Sequence, residues 1–569
     1  MKIIKLMNGL KRFVFIMIIF SVLQVFCELY LPNVMSDIVD IGIKNSDKSF
    51  IMKESIMMVL ITILGLISNI LIIYGTSKFA NNYGYKIRNE LYKKINTFNK
   101  KEIDKFGAST LITRSTNNVS NITNTFSFGL RLILFAPLMG IGAAIWGYKT
   151  APNLAFIVLI AVIILLVLLI LIFSLVFPKF ERAQKLLDKL NSSTREILTG
   201  QRVIKAFNKQ KYFEKRFEKV NNENMKLNIF LNKILYLIQP TMILVINVST
   251  IIIIWISTKY LSLGTLEIGS MMAFIQYMAT VLISFLMILV IILNIPRVLV
   301  SFRRISEILN VEVSIKNEGK IKISKLESIE FKHVYFKYED AKSDILKDIN
   351  FRIEKGQSIG IIGSSGSGKT TIINLLLRHI DVTKGQILIN GIDIREYDIF
   401  SLRNIFSYTP QKTLLFKGSI YENLVFDSKI PNNVLDNVLN DADIKDFILK
   451  NDEKYNYMLD QGASNLSGGQ KQRVSIARAL LNNGSCLLFD DSFSSVDYIT
   501  DKKIRNAIKK DYKDKMIILV TQRVGTIKKC DNIIVIDEGK VENIGNYDYL
   551  SKNSNVFKEF ISSQIKEVL

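Results

Sequence analysis

Residues 358–370 read SIGIIGSSGSGKT, and this stretch decides the fold expected for the C-terminal half of the chain. The apolar run at 358–362 predicts a buried strand, and GSSGSGKT at 363–370 matches the pattern G-x-x-x-x-G-K-[ST]. A helix is predicted at 371–378. A strand, a glycine-rich loop and a helix in this order let backbone N–H groups converge on phosphate oxygens at a helix N-terminus. We therefore expect an α/β P-loop domain that binds a nucleotide.

Two side chains of this loop have specific expected roles. Lys369 is expected to bind the β- and γ-phosphates, and the hydroxyl of Thr370 is expected to ligate Mg²⁺. The other candidates for phosphate binding are Gly363, Ser364, Ser365, Gly366, Ser367, Gly368 and Thr371. Since kinases, GTPases and motor proteins also contain such loops, this motif alone leaves the class of nucleotide enzyme open.

Two further motifs narrow that choice. An apolar strand predicted at 487–489 is followed by Asp490 and Asp491. A carboxylate at this position can bind Mg²⁺. LSGGQ at 466–470 precedes this strand and opens a helix rich in Arg and Ala. It is a second glycine-rich helix N-terminus suited to phosphate, and one bound nucleotide needs only one. The motif at 466–470 is therefore predicted to act on a nucleotide held by another subunit.

The first 310 residues carry six apolar stretches, each long enough to cross a bilayer as a helix. A spanning helix needs ~20 apolar residues. The six stretches lie at about 13–31, 55–75, 128–148, 153–177, 234–257 and 271–293. The first follows Lys11 and Arg12, but no small-x-small cleavage pattern comes after it, so we predict an uncleaved helix. A six-helix, all-α transmembrane domain is expected.

The distribution of cations predicts the orientation of these helices. The loops at about 76–127 and 178–233 carry nine and fourteen Lys or Arg residues, whereas 149–152 and 258–270 carry one each. The positive-inside rule places both long loops, and both termini, in the cytoplasm. The long loops have helical character, and helical arms of ~35 Å are expected to extend towards a cytoplasmic domain.

Composition argues against two other classes of protein. The net charge of +23 could indicate a nucleic-acid partner, but the cations are spread through the two long loops and are not gathered with exposed aromatic residues. We predict no nucleic-acid partner. Cys27, Cys486 and Cys530 match no metal-ligand spacing, and the chain has only two histidines. The cysteines are expected to be reduced and buried.

The C-terminal motifs together resemble an ATP-binding cassette (ABC) domain. The matching elements are the loop at 363–370, Gln411 in TPQ, LSGGQ at 466–470, Asp490, and SVD at 495–497. This resemblance implies ATP and Mg²⁺ as cofactors. It also implies that Tyr338 stacks on adenine, that Gln411 senses Mg²⁺ and the attacking water, and that Asp490 is a Mg²⁺ ligand.

The N-terminal half carries the same resemblance. LPNVMSDIVDIG at 31–42, LITR at 111–114 and REILTG at 195–200 look like segments of bacterial multidrug-type ABC exporters. The implied architecture is a transmembrane domain, a linker and an ABC nucleotide-binding domain, at residues 1–310, 311–325 and 326–569. The implied partners are a second half-transporter, the lipid bilayer and a small amphipathic or hydrophobic substrate: a drug, a peptide or a lipid.

The resemblance also assigns residues to the subunit interface and to the arms. Ser467, Gly468, Gly469 and Gln470 would cap the γ-phosphate of ATP bound to the partner, and Asp497 would contact the partner cassette. The arm tips near 113–119 and 210–217 would be the helices that couple the membrane domain to the cassettes. In the transport path, Glu28 is a candidate substrate contact, and Asp37 and Asp40 are candidates for an outer gate.

Two positions depart from the pattern of an active cassette. The residue after Asp490 is usually a Glu that polarises the attacking water, and here it is Asp491. The family usually has His at the position of Gln522. Together they resemble the degenerate-site subunit of a heterodimeric exporter. The alternatives are a homodimeric exporter with slow ATPase and a membrane sensor that binds ATP without transport.

Overall fold

The chain divides into two compact units. The residues that the computed structural model describes are 2–339, 341–426, 430–450 and 452–566. The membrane unit consists of residues 1–97 and 106–311, and the nucleotide unit consists of 98–105 and 312–569. The nucleotide unit thus includes a short segment of the first long loop as well as the C-terminal part of the chain.

Residues 2–310 fold into helices. The α-helices in this part of the chain are α1 Lys2–Lys5, α2 Lys11–Asp37, α3 Lys48–Asn96, α4 Lys100–Phe106, α5 Ala108–Ser115, α6 Asn117–Thr150, α7 Ala155–Thr199, α8 Gln201–Ala206, α9 Gln210–Ser262 and α10 Ile268–Asn310. A π-helical segment, Ile38–Ile43, continues α2, and a 3₁₀ turn, Pro152–Leu154, leads into α7.

Within the described part of the chain, six helical segments are long and apolar enough to cross a membrane. They are Lys11–Ile43, Lys48–Asn96, Ala108–Thr150, Pro152–Thr199, Gln210–Ser262 and Ile268–Asn310. Each contains one of the six predicted apolar stretches, which confirms the six-helix prediction. The helices exceed the ~20 residues that a bilayer requires, because the apolar parts of α3, α7 and α9 continue into polar helical arms.

The tips of these arms are not where the sequence placed them. The predicted tips near 113–119 and 210–217 are wrong, because the chain reverses at α4 and at α8. Gly107 and Asn208 mark the breaks, with φ values of 74° and 51° that end regular helix. The carboxylate of Glu102 in α4 is buried and accepts hydrogen bonds from the backbone N–H groups of Asn99 (2.9 Å) and Ser314 (2.8 Å). This buried carboxylate ties residues 98–105 to the rest of the nucleotide unit.

Among the described residues, two apolar clusters help to hold the membrane unit together. One is formed by α7, α9 and α10 and includes Leu165, Met242 and Phe274; the other is formed by α2, α6 and α10. Tyr277 in the second cluster is buried and donates a hydrogen bond to the Leu29 carbonyl oxygen at 2.8 Å. Many large apolar side chains on the same helices are exposed, as expected for helices that face lipid or another subunit.

The described residues of the nucleotide unit form three sheets. Its strands are β1 Ser328–Phe336, β2 Leu346–Glu354, β3 Ser358–Gly363, β4 Lys384–Ile389, β5 Ile392–Asp393, β6 Phe406–Thr409, β7 Gly418–Ser419, β8 Met458–Leu459, β9 Cys486–Asp490, β10 Met516–Thr521, β11 Asn532–Asp537 and β12 Lys540–Gly545. The strand orders are β2-β1-β4-β5, β12-β11-β3-β10-β9-β6 and β7-β8.

Helices cover these sheets, which gives the expected α/β domain. They are α11 Lys369–Leu376, α12 Ile399–Asn404, α13 Ile420–Val425, α14 Asn432–Asp441, α15 Lys445–Lys450, α16 Gly468–Leu481, α17 Tyr498–Asp511, α18 Val524–Ile527, α19 Tyr547–Asn553 and α20 Asn555–Lys566. Strands β3, β9 and β10 are almost wholly buried, as their continuous apolar runs predict.

The six-stranded sheet positions the candidate site. Strands β11, β3, β10, β9 and β6 pair in parallel, so their carboxyl ends meet at one edge. Ligands of open α/β sheets bind at this edge, outside the ends of the strands. The segments that leave it are the loop after β3, Asp491 after β9, Gln522 after β10 and the TPQ segment after β6. These four segments therefore start from one edge, whereas the predicted adenine-binding residue Tyr338 follows β1 of the four-stranded sheet.

Candidate nucleotide-binding site

The loop between β3 and α11 has the conformation of a phosphate cradle. Gly366 and Gly368 have φ values of 85° and 100°, which L side chains rarely adopt. A Cβ atom at Gly368 would also lie 2.6 Å from a methyl carbon of Leu346. These glycines let the loop wrap the start of α11, where unpaired backbone N–H groups attract an anion.

The side chain of Lys369 is held by backbone atoms of the glycine-rich loop that precedes it. Its side chain is buried, and Nζ donates hydrogen bonds to the carbonyl oxygens of Gly363 (2.8 Å) and Ser364 (2.6 Å). Burial lowers the pKa of the ammonium, while the carboxylates of Asp491 and Asp490 act in the opposite direction. The cation is thus fixed beside the cradle, where phosphate oxygens can replace the carbonyl acceptors.

Asp490 and Thr370 have the chemistry of a Mg²⁺ site. The Thr370 hydroxyl donates to Oδ1 of Asp490 at 3.3 Å, while Oδ2 is buried without a hydrogen-bond partner among the described residues. Burial raises the pKa of Asp490 to about 6, and the negative charge of Asp491 adds to the effect. A buried, unpartnered carboxylate oxygen beside a hydroxyl suits a hard divalent cation. When bound there, Mg²⁺ would neutralise charge on the phosphates.

A cavity of about 280 Å³ brings most of the predicted residues together. Its described lining consists of Ile345, Ser365, Gly366, Gly368, Lys369, Thr370, Thr371, Gln411, Asp490, Asp491, Val520 and Gln522. Ile345 and Val520 were not predicted from the sequence, because they are apolar and belong to no motif. Gly363, Ser364 and Ser367 lie outside the described lining, but their oxygen atoms accept hydrogen bonds from the Lys369 ammonium.

Tyr338 lies next to this cavity. Its hydroxyl is 3.4 Å from Oγ1 of Thr371, and its ring packs edge-on against Phe336 with centroids 4.7 Å apart. A partly exposed ring beside the phosphate cradle is suited to stacking on a base. The structure thus places the predicted adenine-binding residue beside α11.

The two residues that depart from the active pattern face the same cavity. Nε2 of Gln411 is 3.5 Å from Oδ2 of Asp491, at the outer limit of a hydrogen bond. Asp491 has a φ of 48°, and its backbone N–H donates to the Val520 carbonyl oxygen at 2.7 Å. Burial raises the pKa of Asp491, whereas the Gln411 hydrogen bond and the Arg523 charge lower it.

The LSGGQ residues lie outside the described lining of this cavity. Ser467 is the N-cap of α16 and forms a capping box with Gln470: the Gln470 backbone N–H donates to Oγ of Ser467 at 3.3 Å, and the Ser467 N–H donates to Oε1 of Gln470 at 2.8 Å. Ser467 and Gly468 are exposed. Asp497 likewise caps α17 by accepting from the Thr500 N–H at 3.0 Å. Their predicted contacts with a partner stay predictions.

Arg523 and Gln564 support the site but were missed by sequence reasoning. The Arg523 guanidinium donates to the carbonyl oxygens of Ser494 (2.7 Å) and Phe493 (3.3 Å), which connects the loops after β9 and β10. Gln564 in α20 donates through Nε2 to the Gln522 carbonyl oxygen at 2.7 Å and accepts from the Val524 N–H at 2.9 Å. No local signal identifies Gln564, because its partners are about 40 positions away.

We expect Gln564→Ala to loosen the loop that carries Gln522. Without the side-chain acceptor, the Val524 amide hydrogen should exchange with solvent about fivefold to tenfold faster, since one such bond contributes about 1 kcal/mol. Gln564→Glu keeps the acceptor for Val524 and should protect that amide more than Ala does. Hydrogen exchange read by mass spectrometry measures this. Unchanged exchange in the Ala variant would show that α20 does not hold the loop.

Comparison with known proteins agrees with this arrangement. The family described as "ABC transporter transmembrane region" matches residues 14–285, and the family "ABC transporter" matches residues 346–494. An uncharacterized ABC transporter ATP-binding protein of Mycobacterium tuberculosis (strain CDC 1551 / Oshkosh) is 31% identical over 561 residues, covering 97% of this chain and 96% of the relative.

Two further similarities cover most of the chain. The multidrug resistance-like ATP-binding protein MdlA of Buchnera aphidicola is 31% identical over 549 residues, which are 95% of this chain and 93% of that protein. The structure of a bacterial Atm1-family ABC exporter with ATP bound superposes with a TM-score of 0.83 at 21% identity, covering 98% of both chains. The fold is therefore that of an ABC exporter. With six candidate membrane-spanning helices among its described residues and one nucleotide-binding unit, the chain is a multi-pass half-transporter and belongs to the ABC transporter family, whose ATPase is coupled to transport.

Proposed function

We propose that this chain is the degenerate-site subunit of a heterodimeric ABC exporter. Its own cavity binds ATP and Mg²⁺ with slow or no turnover, and its LSGGQ motif completes a competent site on a different polypeptide. The observation that carries this proposal is the pairing of Asp491 and Gln522 in a cavity whose ATP-binding residues are otherwise present.

The binding residues support ATP retention at this site. The glycine-rich cradle, the buried Lys369 and the Thr370–Asp490 pair supply the charges and hydrogen-bond donors that a Mg²⁺-bound triphosphate needs. None of these positions departs from the family pattern. Loss of hydrolysis therefore does not require loss of binding.

The residues nearest the attacking water support slow hydrolysis. An Asp in place of Glu shortens the side chain by one methylene and withdraws the carboxylate by ~1.5 Å. Catalysis by a positioned base tolerates little such displacement. Gln522 can form hydrogen bonds through its amide, but it cannot supply an imidazole. The Gln411 amide lies 3.5 Å from the Asp491 carboxylate, at the outer limit of a hydrogen bond.

The unaltered LSGGQ supports a role in a second site. Ser467 and Gly468 are exposed at the start of a helix of 14 residues, where a phosphate is stabilised by the helix N-terminus. The motif keeps its full pattern although two residues of the chain's own cavity depart from theirs. This contrast is expected when the motif acts on ATP bound to another subunit.

The membrane unit and the name of one relative support a proposal for the direction of transport and the class of substrate. The cation-rich long loops support cytoplasmic termini and a cytoplasmic nucleotide unit. A similar protein of Rickettsia typhi is named a putative export ATP-binding/permease protein. We propose that the pump exports amphipathic or hydrophobic molecules by alternating access, in which ATP binding closes the two cassettes and turns the cavity outward.

A homodimeric exporter with slow turnover is the second candidate. It is favoured by one observation: Asp491 still places a carboxylate in the cavity, opposite Gln411. In a homodimer both composite sites would carry Asp491 and Gln522, and both would hydrolyse slowly.

ATPase measurement on two preparations separates these candidates. The chain is purified alone and together with a second half-transporter that has Glu and His at the positions of Asp491 and Gln522. Substrate-stimulated turnover that appears only in the mixed preparation supports the heterodimer. Robust turnover by the chain alone would contradict it.

A further inference from the structure

The membrane unit contains an apolar cavity that is separate from the nucleotide site. It lies between α7, α9 and α10, has a volume of about 280 Å³, and is bounded along α7 by Leu165 and Leu175. The only polar residue in its described lining is Thr241, whose hydroxyl donates to the Leu237 carbonyl oxygen of its own helix at 2.7 Å. The described walls therefore offer no free hydrogen-bonding group to a ligand, and they suit a hydrocarbon chain.

The end of this cavity nearer to the helical arms has a basic rim, which we define as Lys179 and Arg297. Lys179 follows the lining residue Leu175 by one turn of α7, and Arg297 follows Leu289 by two turns of α10. The rim thus consists of one cationic side chain from α7 and one from α10, two of the helices that line the cavity.

Aromatic rings hold both rim cations. Nζ of Lys179 lies 4.6 Å from the centroid of the Phe230 ring on α9, and the Arg297 guanidinium lies 5.9 Å from the ring of Phe180. These contacts orient the cations without neutralising them. Among the described residues, no carboxylate forms an ion pair with either cation. With respect to the described side chains, both charges are therefore available to an anionic ligand.

The apolar cavity and the basic rim together favour one kind of ligand, an anionic amphiphile. A cationic amphiphile would meet repulsion at the rim, and a neutral one would leave both cations without a counter-charge. An anionic amphiphile would bury its hydrocarbon chain in the cavity and place its headgroup against Lys179 and Arg297, where charge-assisted hydrogen bonds are strongest. Long basic side chains that reach the membrane–water interface are suited to this role.

We propose that the cavity and the basic rim form a binding site for an anionic amphiphile with a phosphate or carboxylate headgroup. This inference rests on the proposed export function, of which it names the substrate class. It goes beyond the general expectation of a drug, peptide or lipid substrate, because it fixes the charge of the headgroup and the end of the cavity at which it binds.

Binding to the full chain in nanodiscs of neutral lipid tests this proposal without nucleotide or partner. The probe is a fluorescent lysophosphatidic acid, and its competitors are a fatty acid, a monoacylglycerol and a lysophosphatidylcholine of the same chain length. The two anions should displace the probe about tenfold better than the neutral and zwitterionic analogues. Affinity should also rise with chain length, and inorganic phosphate should not compete.

Substitutions identify the rim. Lys179→Gln and Arg297→Gln should each weaken binding of the probe about tenfold, while Lys226→Gln, a matched change further along the arm of α9, should leave it unchanged. All three positions lie outside the apolar lining, so the variants are expected to fold. Equal displacement by monoacylglycerol, full competition by phosphate alone, or unchanged binding in both rim variants would overturn the proposal. Because no ATPase is measured, these outcomes are independent of the heterodimer test.

Discussion

Replacing Ser467 by alanine is expected to lower the ATPase rate of the assembled heterodimer about 100-fold. In the proposed complex the Ser467 hydroxyl donates to the γ-phosphate of the ATP that the partner hydrolyses. Removing one donor that stabilises developing charge in a transition state typically costs about 100- to 1,000-fold in rate. The helix cap is lost as well, but an exposed N-cap contributes only about 1 kcal/mol to stability. The fold is therefore expected to survive the change.

The matched change in the chain's own cavity should have almost no effect. Asp491→Ala is expected to alter heterodimer turnover less than twofold, because the site that contains Asp491 contributes little hydrolysis. The measurement is the initial rate of phosphate release from purified heterodimers of verified stoichiometry. Ser464→Ala, an exposed serine three residues before the cap, controls for surface substitution in this segment. A loss in Asp491→Ala as large as that in Ser467→Ala would contradict the assignment of the two sites.

The residues that sequence reasoning placed correctly belong to short, continuous segments. The strand, loop and helix around Lys369 are adjacent in the chain, so their residue pattern specifies their geometry. Asp490 ends one buried apolar strand and Gln522 follows another, and the carboxyl ends of neighbouring parallel strands meet at the same edge. The six spans were predictable for a different reason: bilayer thickness sets a minimum apolar length.

Contacts between distant segments could not be predicted in this way. Gln564 holds the loop after β10 through two hydrogen bonds, yet a glutamine in an amphipathic C-terminal helix has no distinctive pattern. The arm tips were misplaced because polar helical segments lack the apolar boundary that marks a span. Their positions depend on local breaks at Gly107 and Asn208 and on the buried carboxylate of Glu102. The basic rim of the membrane cavity could not be predicted either, because its prediction requires knowing which helices pack together.

Restoring both altered residues should turn the chain's own cavity into an active site. The double variant Asp491→Glu with Gln522→His is expected to raise the ATPase rate of the homodimer formed by this chain alone about 100-fold. A positioned general base typically contributes about 100- to 10,000-fold. We expect the lower limit of about 100-fold, because Asp491 has a φ of 48°. Glu adopts this left-handed backbone conformation less readily than Asp does.

The two substitutions should not contribute equally, and this inequality tests the chemistry. Asp491→Glu alone should give most of the gain, since it supplies a carboxylate that reaches the attacking water. Gln522→His alone should give little, because an imidazole beside the γ-phosphate has no polarised water to act with. Residues that act as one unit are non-additive in this manner. Asp491→Gln with Gln522→His matches the length of the new side chain without its charge and should stay as slow as the unaltered chain. If all variants bind ATP and dimerise but none gains activity, slow turnover arises elsewhere than at Asp491 and Gln522.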